Sequence, residues 1–355
     1  MNKALRILGI VAFIIAISDL SAAAGRDCVN WARVMSIRPQ ASGKIVLVES
    51  FTDYTKLPGD EWLSAGLRDL TASMLSTSSS LRVYSGLTAK YNTEAMSPAF
   101  TVSGMYQHVE GGLRVFVKVM QAGNLVSQYE ILSPYPESGD IFMRFADVTK
   151  QIWKTMQTGG DESALAAVRD ATPSTRTFES YIKGRQAFET YKQDEMEVAK
   201  TWFEQAKKSD YRSPLGYQGL IDLLTFLGFY HKQRQEPFGP YFQQAERELS
   251  DMNRIAKRPP PVVLMQKKPT KKSDGSLKFE NPFLLNQASF NEGLIAAGQE
   301  KWVEAAAALK KAVEYLPEDA IAWYHLARIY ERLGNSAEAS KALQKAYEIN
   351  PCMEK

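Results

Sequence analysis

Histidine and cysteine are scarce in this 355-residue chain, which has three of the first and two of the second. Cys28 and Cys352 stand near opposite ends, too few for the disulfide framework that staples small secreted domains. In an oxidising compartment they are free to pair with each other or across a dimer, and their spacing says nothing of the geometry. His108, His231 and His325 fall in a hairpin, a turn and a helix, none at metal-ligand spacing from cysteine or carboxylate. No Gly-x-Ser-x-Gly elbow offers a serine nucleophile. Gly293-Leu-Ile-Ala-Ala-Gly298 has the glycines of a phosphate loop, but Gln299 and Glu300 replace its Lys and Ser/Thr. Glu61, Asp69 and Asp140 read as surface or cap carboxylates. The expectation is no catalytic residue, no metal and no cofactor.

Excess charge is lacking too. Lys and Arg total 43 against 40 Asp and Glu, a net +3 that gives no reason to expect nucleic acid or an anionic membrane surface. Long apolar runs are confined to the first 24 residues. There Lys3 and Arg6 precede the run Ile7 to Ile17, and Ala22-x-Ala24 supplies small residues for a signal peptidase. The run falls short of the roughly 20 residues of a membrane span. Gly25-Arg26-Asp27 before Cys28 is not a lipobox. Residues 1–24 therefore read as a cleaved bacterial signal peptide, with a retained anchor as the alternative, and no transmembrane span is expected after cleavage.

What is present is a helical repeat. Trp323, Leu326, Ala327 and Tyr330 follow the spacing W-x2-L-A-x2-Y, and Ala339, Leu343, Ala346 and Pro351 complete the unit. One period earlier stand Gly293, Ala305, Leu309, Ala312 and Pro317, and Pro317 to Pro351 spans 34 residues. Small residues let antiparallel helices approach, large ones fill the seam, and proline stops the second helix. This stretch resembles a tetratricopeptide repeat (TPR) array. Two looser units precede it: Phe178 to Phe188 with Ala199, Phe203 and Ala206, then Tyr217 to Leu224 with Ala245, Leu249 and Met252. Residues 172–355 are thus expected to form an all-α TPR solenoid. Between its second and third units lies a basic loop, 257–280, with Pro259-Pro-Pro261 and seven Lys/Arg against Asp274 and Glu280. It is either a solvated loop or an arm for an acidic partner.

Residues 40–158 read differently. The β-branched run Lys44 to Phe51, a Pro58-Gly59 turn and an amphipathic helix on Trp62, Leu63, Leu67, Leu70, Met74 and Leu75 come first. Strands at Leu81–Tyr84, Phe100–Tyr106, Leu113–Met120 and Leu125–Leu132 follow, the last three separated by glycine turns, and a helix from Asp140 to Met156 closes an α/β (α+β) domain. The Glu61-Trp62-Leu63-Ser64-Ala65-Gly66-Leu67 helix start, Leu81-Arg-Val and Phe100-Thr-Val-Ser-Gly104 make this order similar to the TolB amino-terminal domain and the curli secretion channel (CsgG-like) family. The resemblance implies an envelope protein, here without the extra hairpins of the pore-forming members. A segment like Phe178-Glu-Ser-Tyr-Ile-Lys-Gly-Arg185 opens the repeats that follow such domains in bacteria.

Three functions fit: an exported adaptor, periplasmic or outer-membrane-associated, that binds protein partners through its repeats; an oligomeric ring or accessory part of a secretion or flagellar-type assembly, with self-association; and a ligand-sensing regulator. The adaptor ranks first. On the first helices of the repeats, Tyr324, Arg328 and Arg332, spaced by four, with Phe290 and Leu294 one repeat earlier, are the expected partner-binding groove. Trp323, Leu326, Ala327, Tyr330, Ala339, Leu343, Ala346 and Pro351 are the expected repeat core. Export predicts a mature amino terminus at or near Gly25, read by amino-terminal sequencing of protein from its native cell; recovery of intact Met1 in a detergent-requiring form overturns the cleavage.

Overall fold

A computed structural model describes residues 43–78, 80–85, 98–136, 140–170, 174–190, 192–256, 282–315, 317 and 319–349. The leader, both cysteines, the basic loop and Pro351 lie outside the described residues.

Alternation builds the first strand. In β1 (Lys44–Val48) Val46 and Val48 are wholly buried while Ile45 and Leu47 point to the other face. A two-residue strand, β2 (Thr52–Asp53), follows, then helix α1 (Trp62–Leu75), which returns the chain to β3 (Leu81–Ser85), parallel to β1. Strands β4 (Phe100–Val109), β5 (Gly112–Gln121) and β6 (Asn124–Pro134) form an antiparallel meander, with β4 parallel to β1. The sheet order is β3-β1-β4-β5-β6, with β2 alongside β4. The β5–β6 turn is Ala122-Gly123, both at positive φ (48° and 81°), one residue before the expected Gly123-Asn124. Two positive-φ residues suit the right-handed twist of a tight hairpin.

One sheet face is covered by α1 and by α2 (Asp140–Thr155), whose Ile141, Phe145, Val148, Ile152 and Trp153 form the expected buried stripe. The stretch 159–174, whose Gly159-Gly160, alanines and Pro173 read in the sequence as a domain boundary with room for a short helix, carries helix α3 (Glu162–Asp170). Its approach is pinned: Asp161 N–H donates to Thr77 O at 3.0 Å, and Ser78 Oγ donates to Gly159 O.

Eight helices then run as four hairpins: α4 (Thr175–Phe188) with α5 (Gln193–Ser209), α6 (Pro214–Gln233) with α7 (Gly239–Ala256), α8 (Pro282–Gly298) with α9 (Trp302–Tyr315), and α10 (Ala320–Arg332) with α11 (Ser336–Ile349). Caps mark their starts. Ser174 Oγ accepts from Thr177 N–H, Ser213 precedes Pro214 at the first turn of α6, and buried Asp319 Oδ1 accepts from Ala322 N–H at 3.0 Å.

Close helix approach depends on glycine facing a large ring. Phe203 of α5, 1% exposed, is wedged between α4 and α6, and a Cβ at Gly184 or Gly219 would fall 2.6 or 2.2 Å from it. Gly219→Ala would gain about 1 kcal/mol of helix propensity, but the ring has nowhere to go. The variant is expected to lose about 1–3 kcal/mol of stability in urea unfolding, with partial recovery in Gly219→Ala/Phe203→Leu.

Candidate functional site

The first helix of each hairpin is buried on most sides, the second only along one stripe. On α6 Gly216 to Ile221 are all buried, and on α8 so are Ala288 to Asn291 and Gly293 to Gly298. On α5 the buried positions are Met196, Ala199, Phe203 and Ala206, and on α11 Ala339, Ala342, Ala346 and Ile349. The first helices therefore form an inner layer. Much of what covers it is the chain's own α/β unit. Phe178 of α4 meets Trp62 of α1 edge-on at 6.0 Å and Phe142 of α2 at 5.4 Å. One buried cluster runs without a break from the sheet through α7. A second gathers the residues of α8 to α11 and includes Tyr84 of β3, with Ile45 of β1 packed against it.

This changes the expected groove. Phe290, Leu294 and Tyr324 are buried at 4%, 3% and 8% exposure within that second cluster, so they are not an open surface. Helical spacing showed correctly that they share a side; it could not show that strands from 200 residues earlier in the chain join the same cluster. Along α10 the stripe emerges from the core: Tyr324 buried, Arg328 half-buried, Arg332 exposed. The Arg328 guanidinium lies 5.4 Å over the Tyr324 ring, with Nη1 2.9 Å from Glu331 Oε2. Arg332 lies 6.0 Å from the centre of the Trp302 ring. Of the expected repeat core, Leu326, Ala327, Ala339 and Ala346 are buried. Trp323, Tyr330 and Leu343 are half-buried at its margin. Trp323 packs at the edge of the cluster, where its Nε1–H donates to Pro317 O at 2.8 Å.

Asp69 is the chief correction among the carboxylates. It is buried, not a surface or cap group, where α1 meets α4. Arg68 Nε donates to Asp69 Oδ1 at 2.7 Å, and Arg185 Nη1 lies 3.8 Å from Asp69 Oδ2. Arg185 also donates to Glu189 one turn on. Burial opposes the charge of Arg185, yet Glu189, Tyr181 and Asp69 together raise its pKa above the ordinary value. Burial likewise pushes the Tyr181 hydroxyl up to about 12. Glu61 stays at the start of α1, its Oε2 accepting from Gly59 N–H at 3.0 Å, and Asp140 lies in the first turn of α2.

Other polar groups are dispersed. His108 Nε2 lies 3.0 Å from Asp60 Oδ2, whose other oxygen accepts from the Tyr135 hydroxyl at 2.9 Å. His231 stacks on Tyr241 at 4.7 Å, and His325 lies edge-on to Phe290. Among the described residues no three His, Cys, Asp or Glu could hold a metal ion. Sequence reading passed over Gln218, Thr225 and Asn291. Gln218 Oε1, Thr225 Oγ1 and Asn291 Nδ2 are buried on α6 and α8 without a hydrogen-bond partner. Their only signal was an amide or hydroxyl amid an apolar helix.

Removing Arg185 would take the close cationic partner from Glu189 and leave Asp69 with Arg68 alone. Arg185→Ala is expected to cost about 3–5 kcal/mol in urea unfolding. Lys150→Ala, which breaks the exposed pair with Glu162, serves as the near-neutral reference.

Residues 290–351 match the tetratricopeptide repeat family. Among curated proteins none matches the chain in sequence. Solved structures similar to it include the MamA RS-1 ArsTM double mutant, 13% identical, covering 61% of this chain and 97% of that one at a TM-score of 0.33. YrrB, described as a TPR protein with an unusual peptide-binding site, is 18% identical, covering 61% and 89% at 0.30. MamA from Desulfovibrio magneticus RS-1 is 16% identical, covering 50% and 97% at 0.22. These superpositions are loose, so the assignment rests on the family match and on the paired helices themselves: α8 to α11 carry tetratricopeptide repeats, a scaffold for protein–protein contact.

Proposed function

We propose that the protein is a non-enzymatic adaptor exported to the bacterial cell envelope, periplasmic or outer-membrane-associated, that captures a protein partner through its tetratricopeptide segment. The α/β unit is the TolB-like, CsgG-like module that docks it on an envelope assembly. The observation that carries this reading is the repeat match over residues 290–351 on paired helices whose exposed end offers Arg328 and Arg332. With Phe290, Leu294 and Tyr324 occupied internally, the contact surface moves to the margin of α10, where both arginines lie beside aromatic rings. Cations backed by aromatic rings suit an extended segment with acidic side chains. A second reading, self-association through the α/β unit, is favoured by the exposed Leu125, Val126 and Leu132 on β6.

Affinity purification from envelope fractions with mass spectrometry identifies the partner. Arg328→Glu/Arg332→Glu is then expected to change unfolding free energy by no more than about 1 kcal/mol, because the half-buried Arg328–Glu331 pair lies at the edge of the core. It is expected to weaken capture at least about tenfold. Full-strength capture by this variant removes the α10 margin from the reading.

A further inference from the structure

The sheet ends in a long strand, β6, with no further strand beside it among the described residues. Strand β6 is 11 residues long, against five for β3 at the other edge. Proteins ordinarily protect such an edge with lysines, inward charges or a covering element. Here the protection is slight. The one charged residue of β6 is Glu130, and Arg114 of β5 already neutralises it, Nε to Oε1 at 3.0 Å. Leu125, Val126 and Leu132 are 55%, 45% and 49% exposed. Beside them on the open side of β5 lie Arg114, Phe116 and Lys118, all half-buried. The β5–β6 pairing shifts between Ser127 and Leu125 and leaves Val126 as a bulge with no β5 partner, while Ser127 to Ser133 stay in regular register.

Resting on the self-association reading above, we propose that β6 is a homodimer edge: two copies join antiparallel along it into one continuous sheet. The occupant is a second copy because the strand is complementary to itself. With the two-fold axis at Tyr129, Leu132 of one copy meets Val126 of the other, two exposed apolar side chains. Glu130 then meets the Gln128 amide, and Ser127 meets Ile131. No like charges oppose each other. Shifting the axis to Glu130 would set two carboxylates face to face, which cross-strand pairing disfavours. Charge therefore excludes the Glu130 register, the apolar Leu132–Val126 pair favours the Tyr129 one, and the closed two-fold arrangement stops at two copies.

The test uses the full chain with Cys28→Ser and Cys352→Ser. Light scattering at micromolar concentration is expected to give twice the monomer mass. Leu132→Lys places a cation at two symmetry-related pairs and is expected to weaken the dimer about ten- to thirty-fold. At concentrations where both proteins are monomeric its melting curve should match the parent's, since Leu132 is exposed in the single chain. In the assigned register Val126→Cys/Leu132→Cys cross-links into a dimer under mild oxidation. Neither single variant should do so, because each new thiol meets an unaltered side chain. Within one chain the two positions are about 20 Å apart, too far to bridge. A dimer that survives Leu132→Lys and does not cross-link overturns the β6 edge while leaving self-association standing. A monomer at every concentration overturns both, and a monomer that instead takes up a foreign strand at β6 overturns the second copy as occupant.

Discussion

Phe178 ties the molecule together. It belongs to α4, the first helix of the first hairpin, yet its ring meets Trp62 and Phe142 on the two helices that cover the sheet. Edge-on aromatic contacts of this kind add to the burial of large apolar surfaces. Beside them the Arg68–Asp69–Arg185–Glu189 network joins α1 to α4, a buried cation and its carboxylates that must stay together once burial takes them from water. The α/β unit and the helices consequently share a buried cluster across the stretch where composition suggested a domain boundary.

That shared core decides which surfaces are left for partners. A repeat array presents the inner faces of its first helices when nothing lies against them. Here the inner layer packs on α1 through α4, and the residues of α8 and α10 share a cluster with Tyr84. Among the surfaces left outward are the margin of α10, with its two arginines, and the far edge of the sheet at β6. The two surfaces have different chemistry, one cationic and aromatic, the other a nearly uncharged strand. They suit different occupants.

Much of the architecture was legible in the sequence, because it depends on local periodicity. Strand alternation placed β1 and β3 to β6 within a few residues, amphipathic spacing placed α1 and α2, and the 34-residue period placed α8 to α11. The buried small residues Ala327, Ala339 and Ala346 were legible for the same reason: each lies at a seam that its own hairpin creates. Tertiary structure alone decided the rest. Asp69 looks like any helix-surface carboxylate until α4 brings Arg185 beside it from 116 positions downstream. Tyr324 and Phe290 look like groove residues until the sheet joins their cluster. A helical pattern states which side of a helix is apolar; only the packing of distant segments determines whether that side meets a partner or another part of the same chain.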